Sequence, residues 1–125
     1  MTPDLLAGCR VLVVEDEMLV AMTIEDMLDD LGCTAVVSAA TVGQALAAIA
    51  AETFDLATLD CNLGGARSDA VADALAAKGV PFAFSTGYSD AGEDRHAARP
   101  VLRKPYRPAD FAAVMATLRV NGMAN

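Results

Sequence analysis

The sequence predicts an α/β fold in which short buried strands alternate with amphipathic helices around a parallel sheet. Three observations carry this reading. Val11-Leu12-Val13-Val14, Phe54 to Asp60 and Pro81 to Thr86 are short, mostly apolar runs, the pattern of strands buried on both faces. Helical stripes fall between them, such as Val20, Ile24, Met27, Leu28 and Leu31. Strands that alternate with helices in this way imply βαβ units, right-handed crossovers and helices on both sides of the sheet.

Taken in order, the first strand ends in Glu15-Asp16-Glu17, and the helix after it is stopped by Gly32. Thr34 to Ala40 reads as the second strand. Thr41 and Gln44 form a possible capping box that opens an alanine-rich helix with Leu46 and Ile49. Phe54 to Asp60 is the third strand, followed by a turn at Leu63-Gly64-Gly65 and a helix from about Ser68 to Ala77 that closes at Gly79. Pro81 to Thr86 is the fourth strand and Val101 to Lys104 a short fifth. Pro108 takes a first helical position, and Phe111, Val114, Met115 and Leu118 form the last stripe. Tyr88 to Pro100 has few apolar anchors, so a fourth helix there is expected to be short or mobile. The fold class expected is a three-layer (βα)5 sandwich with a five-stranded parallel sheet, which in the flavodoxin-like arrangement has the strand order 2-1-3-4-5.

A chain of 125 residues is one domain's worth, expected to span residues 8–120 with no separate output domain. No apolar run approaches the roughly 20 residues of a membrane span, and the N-terminus lacks the basic and apolar pattern of a signal peptide. Cys9, Cys33 and Cys61 are odd in number and widely spaced, as expected of reduced thiols in a cytoplasmic protein. A net charge of −8 argues against nucleic-acid binding, because affinity there comes from basic groups on phosphates. The distribution is uneven: Arg95, Arg99, Arg103, Lys104 and Arg107 cluster near the C-terminal end, either a solvated face or a partner surface. His96, in the same polar stretch, reads as a solvated residue.

Ligands of open parallel sheets bind beyond the carboxyl ends of the strands. There the sequence puts Glu15 and Asp16 on strand one, Asp60 on strand three, Ser85 and Thr86 on strand four and Lys104 on strand five. In the order given above these groups converge on one rim. Three carboxylates at one rim repel one another, and without a counter-ion at least one has its pKa pushed upward. A hard cation such as Mg²⁺ relieves this, with carboxylate oxygens as preferred ligands. An acidic pocket with one metal, one ammonium and one hydroxyl suits a phosphoryl group in transfer onto a carboxylate.

Glu15-Asp16, Leu59-Asp60, Ser85-Thr86-Gly87 and Lys104-Pro105 resemble, in order and spacing, the acidic pair, acceptor Asp, switch Thr and Lys-Pro of response-regulator receiver domains. The resemblance runs from about Arg10 to Leu118. Phe84 to Tyr88 with Lys104-Pro105-Tyr106 further resembles the often single-domain subgroup nicknamed FAT GUY receivers. It implies Asp60 as phosphoacceptor and Mg²⁺ (or Mn²⁺) on Asp16 and Asp60, with Glu15 helping through water and the Asn62 main-chain carbonyl completing the set. It further implies that Thr86 and Lys104 bind phosphoryl oxygens, and that Asn62 and Tyr88 influence how water reaches the acyl phosphate. The partner implied upstream is a histidine kinase or histidine phosphotransfer protein. Output would come by protein contact, with the Gly87–Arg107 face as the partner surface, or by draining phosphoryl groups from a relay. No membrane partner is expected.

The sequence departs from the receiver pattern at three places. Glu15 stands where Asp is commoner, the loop after Asp60 lacks the usual proline, and Val101 occupies the place of an aromatic switch, leaving Tyr106 or Tyr88 to replace it. Cys61 reads as a packed thiol, pointed away from Asp60 by strand alternation. A phosphatase of the haloacid dehalogenase kind is disfavoured because Asn62 stands where its second Asp belongs. A flavodoxin is disfavoured because strand one opens into acids.

Overall fold

The computed structural model describes residues 4–86, 99–104 and 106–123. In chain order the elements are β1 (Arg10–Val14), α1 (Met18–Asp30), β2 (Ala35–Ala39), α2 (Val42–Ala51), β3 (Leu56–Asp60), β4 (Asn62–Leu63), β5 (Ala66–Arg67), α3 (Asp69–Ala77), β6 (Phe82–Thr86), β7 (Val101–Arg103) and α4 (Pro108–Met123). Five of the strands form one sheet in the order β2-β1-β3-β6-β7, and every pairing in it is parallel. Counting only those strands, the order is the expected 2-1-3-4-5. No helix among the described residues is long and apolar enough to cross a membrane.

Strand alternation divides the core into two layers. Val11 and Val13 pack with Ile24 and Leu28 of α1 and with Phe111, Met115 and Leu118 of α4. Leu12 and Val14 face the other way, onto Ala45 and Ile49 of α2 and Val71 and Leu75 of α3. A strand that feeds both layers must be apolar at every position, which is why its sequence runs unbroken. Leu6, ahead of β1, is fully buried in the α1/α4 layer, and its N–H donates to the Leu31 carbonyl at 2.8 Å.

Local chemistry sets the ends of the elements. At the end of α1, Gly32 has φ 86°. Its N–H donates to Asp29 at 3.0 Å, and the Cys33 N–H reaches back to Leu28 at 3.1 Å. That is the Schellman closure, which needs a left-handed residue at the Gly32 position. The second strand is shorter than expected at both ends. Cys33 is still closing α1, and the Ala40 N–H is taken by Gln44 Oε1 at 2.8 Å. Thr41 Oγ1 in turn accepts from the Gln44 N–H at 3.1 Å, a capping box displaced by one residue. The third strand begins at Leu56 rather than Phe54 because the Asp55 carboxylate occupies the Arg10 N–H at 2.8 Å.

Three sequence expectations need correction or restriction. The buried face of α2 is made by Ala45 and Ile49, four residues apart, and Leu46, a third of a turn round, is exposed. The turn after Asp60 is a small antiparallel hairpin of β4 and β5. Gly64 and Gly65 at its tip have φ 61° and 92°, the pair of positive values that a two-residue hairpin turn of this hand requires. The fourth-helix segment, with Tyr88, Arg95 and His96, lies outside the described residues.

Candidate functional site

The functional rim forms where β1, β3, β6 and β7 end together. Glu15 continues the ladder one step past β1, its N–H donating to Ala39 at 3.0 Å. By alternation its side chain falls on the α1/α4 side with Val11 and Val13, and only 1% of it is exposed. Asp60 ends β3 on the same side, in register with Ser85 of β6. Lys104 follows β7, and its N–H donates to the Thr86 carbonyl at 2.7 Å. Its ammonium donates to Glu15 Oε1 at 2.9 Å and to Asp60 Oδ2 at 3.2 Å. Asp16 is exposed, and its Oδ2 accepts the Gly64 N–H at 3.0 Å, so the hairpin tip fixes this carboxylate from outside.

One carboxylate oxygen from each of Glu15, Asp16 and Asp60 lies within 4.8 Å of the others. Three acids beside one ammonium leave an excess of negative charge. Burial first, and then the neighbouring Asp60, push the Glu15 carboxyl up to about 7 against the opposing pull of Lys104. This is the upward shift expected of crowded carboxylates short of counter-charge. Burial disfavours the charged form of Lys104, but its contacts with Glu15 and Asp60 outweigh that and raise its pKa. Oxygen donors in this number, with the residual negative charge, match the ligand preference of a hard divalent cation.

Of the residues picked out from the sequence, the fold brings Glu15, Asp16, Asp60 and Lys104 into one cluster. Thr86 is buried at the end of β6, beside β3 and bonded through its carbonyl to Lys104. The Asn62 backbone opens β4, two residues after Asp60. Tyr88 lies outside the described residues. Tyr106 is half-buried, stacked on Phe111 with centroids 6.1 Å apart and planes at 15°, and its hydroxyl stands 3.4 Å from Ser85 Oγ. Val101 is half-buried against the α2/α3 layer, away from Tyr106. Cys61 is buried in that same layer, as alternation implied.

The basic cluster is largely engaged where it is described. Lys104 belongs to the rim, the Arg107 guanidinium meets Asp110 at 3.4 Å, and the Arg99 guanidinium sits 4.4 Å from the Phe82 ring centroid. Two features had no local signal in the sequence. Thr58, two residues before Asp60, buries its hydroxyl without a hydrogen-bond partner among the described residues. Beside the rim, Leu19, Val20, Thr23, Ile24, Met27, Lys104 and Tyr106 line a cavity of about 440 Å³. At this edge α1 exposes Met18, Leu19 and Met22, the first two by 76% and 79%.

The family model for the response regulator receiver domain matches residues 11–115. The chain belongs to the response-regulator receiver family. Such receivers are signalling domains of two-component systems, and this one is similar to those of the PhyR kind. It is 32% identical over 112 residues to the phyllosphere-induced regulator PhyR of Methylorubrum extorquens, covering 85% of this chain and 42% of that protein. The chain thus spans less than half the length of that curated relative. The solution structure of SdrG from Sphingomonas melonis Fr1 is similar at 46% identity and a TM-score of 0.80, covering 88% of this chain and 95% of that one. The beryllofluoride-activated SdrG conformation (Pseudomonas melonis Fr1) gives 43%, 0.73, 88% and 98% for the same measures. A receiver domain of a Pseudomonas aeruginosa sensor histidine kinase shares the fold at 24% identity and a TM-score of 0.78, covering 91% of this chain and 99% of that one, and holds magnesium in its own active-site cleft.

Proposed function

We propose that this receiver takes a phosphoryl group onto Asp60 from a phosphohistidine of a histidine kinase or phosphotransfer protein. The observation that carries the reading is the Asp60 carboxylate at a strand end, within 4.8 Å of two further acids and bonded at 3.2 Å to a lysine ammonium. An Asp60 carboxylate oxygen forms the new P–O bond as the donor's P–N bond breaks, and the leaving imidazole takes a proton from solvent. Lys104 and the Thr86 hydroxyl hold the phosphoryl oxygens, preorganised donors for the charge that develops there. Asp16 and Asp60 would hold Mg²⁺ (or Mn²⁺), with Glu15 through water and the Asn62 carbonyl as further ligands. Bound there, the ion would neutralise the carboxylates and polarise the phosphoryl oxygens.

Asn62 and Tyr88 would govern the approach of water, and so the lifetime of the acyl phosphate. The exposed apolar side chains Met18, Leu19 and Met22, just after Asp16, suit a seat for the phosphodonor protein. Output would pass through the Gly87–Arg107 face to a protein partner, or the domain would act as a phosphate sink. The cytoplasm is the compartment this chemistry needs, and it suits the buried thiols of Cys9, Cys33 and Cys61.

The reading is tested by labelling with a phosphohistidine donor and mapping the adduct by mass spectrometry. One alkali-labile phosphoryl group per chain at Asp60 is expected, absent in Asp60→Asn and suppressed by excess chelator. Normal labelling of Asp60→Asn, or turnover of a generic phosphate ester, would overturn it.

A further inference from the structure

We propose that the Ser85 and Tyr106 hydroxyls form a latch that positions Lys104 over Asp60, making Tyr106 a positioning residue for phosphoryl acceptance. The inference rests on the assignment of Asp60 as acceptor. It starts from the weakness of a lysine as a placed charge: its flexible four-carbon stem has many rotamers, so the backbone beneath it must be held.

On one side that backbone is fixed by the Lys104 N–H on the Thr86 carbonyl at 2.7 Å. On the other side the chain must travel from β7 to α4. Among the described residues the next backbone groups held are those of Arg107 at the helix start, its N–H donating to Asp110 Oδ2 at 3.2 Å and its carbonyl accepting from the Phe111 N–H at 3.0 Å. Between these points Tyr106 ties the connection down twice. Its ring stacks on the fully buried Phe111, and its hydroxyl meets Ser85 Oγ at 3.4 Å.

Ser85 is well chosen as the anchor. It is 1% exposed and sits in register with Asp60 on one side and Leu102 of β7 on the other. In-register neighbours in a parallel sheet share a face and lie about 4.8 Å apart. A group held on Ser85 is therefore referenced to the strand position beside the acceptor. At 3.4 Å the contact is long for a hydroxyl pair and so a weak hydrogen bond, which adds to the hold that the stacked ring already gives. One face of Tyr106 also lines the cavity beside α1.

The hydroxyls can be removed with little change of shape by Tyr106→Phe, which keeps the stacking ring, and by Ser85→Ala. Labelling of the full chain by phosphoramidate with Mg²⁺ gives one readout. Nuclear Overhauser contacts between Lys104 side-chain protons and Asp60 Hβ give a second that needs no phosphorylation. Each single variant is expected to slow labelling by about two- to threefold, the low end of what one hydrogen bond contributes. The double variant should be no slower than the worse single, with melting temperatures close to that of the parent. The Lys104–Asp60 contacts should weaken in all three. Parental labelling in Tyr106→Phe, losses that multiply in the double variant, or undiminished Lys104–Asp60 contacts would each overturn the proposal. Tyr106→Phe carries the test alone should Ser85→Ala fold poorly. Failure of the parent itself to label at Asp60 would instead remove the acceptor assignment, while the Overhauser contacts still decide whether the latch holds Lys104.

Discussion

The two faces of the sheet are built differently. The α2/α3 face is filled by Leu12, Val14, Ala57, Leu59, Phe82 and Phe84 against Ile49, Val71 and Leu75, an apolar layer in which Phe82 and Phe84 meet edge to face with centroids 5.5 Å apart. The α1/α4 face starts in the same way from Val11, Val13 and Leu56, but nearer the strand ends it turns polar. Thr58, Asp60 and Ser85 follow one another there, with Glu15 beside them and a cavity under α1. One face is packed for stability. The other gives up packing to carry charge and hydroxyls into a buried place.

The sharpest way to break this contrast is to damage the apolar face alone. Phe82→Ala should cost about 3–5 kcal/mol in urea unfolding, the usual price of a buried phenyl ring. The folded fraction should still accept a phosphoryl group at the parental rate. Loss of labelling out of proportion to loss of folding would show that the two faces are coupled.

A smaller effect with the opposite sign is expected on the polar face. Thr58→Val keeps the shape and removes a buried hydroxyl that has no partner among the described residues. Relieving that unmet hydrogen bond should stabilise the fold by about 1 kcal/mol, raising the melting temperature by roughly 3–6 °C. A destabilised Thr58→Val would mean that the hydroxyl is satisfied in solution.

The smallest effect concerns the thiols at the foot of this face. Burial raises the pKa of Cys9 and of Cys33, so at pH 8 less of each is in the reactive thiolate form than in an exposed thiol. Both should resist iodoacetamide in the native protein and react readily in denaturant. Fast native alkylation of either would show that the foot of the α1/α4 layer opens locally.

The strands and the acids at their ends were legible in the sequence because they depend on local pattern, whereas the strand order came from the flavodoxin-like arrangement the alternation suggested. Apolar runs ending in Asp60 and in Glu15-Asp16 mark strand ends, and the parallel architecture brings such ends to one rim. Elements shorter than a period were not legible. Asn62–Leu63 and Ala66–Arg67 are two-residue strands with no alternation to read, although Gly64-Gly65 between them carried a turn signal. The exact span of β3 depended on Asp55 reaching across to Arg10, 45 positions earlier in the chain. Which face of α2 is buried was not legible, because an alanine-rich helix offers almost no contrast between its faces. The Ser85–Tyr106 contact joins residues 21 apart, and nothing in either neighbourhood announces it.

The brevity of β7 has a consequence for how a partner can read this domain. It is an edge strand of three residues, preceded in sequence by Pro100 and followed by Pro105, with Arg103 exposed. Proline supplies no N–H and an exposed cation disfavours a neighbouring strand, both being devices that protect sheet edges from extension. A peptide seeking to extend the sheet here would find a template too short to hold it. Recognition at this end of the molecule must therefore be written in side chains, whose arrangement a change at Lys104 can alter, rather than in main-chain hydrogen bonds that would look the same in every state.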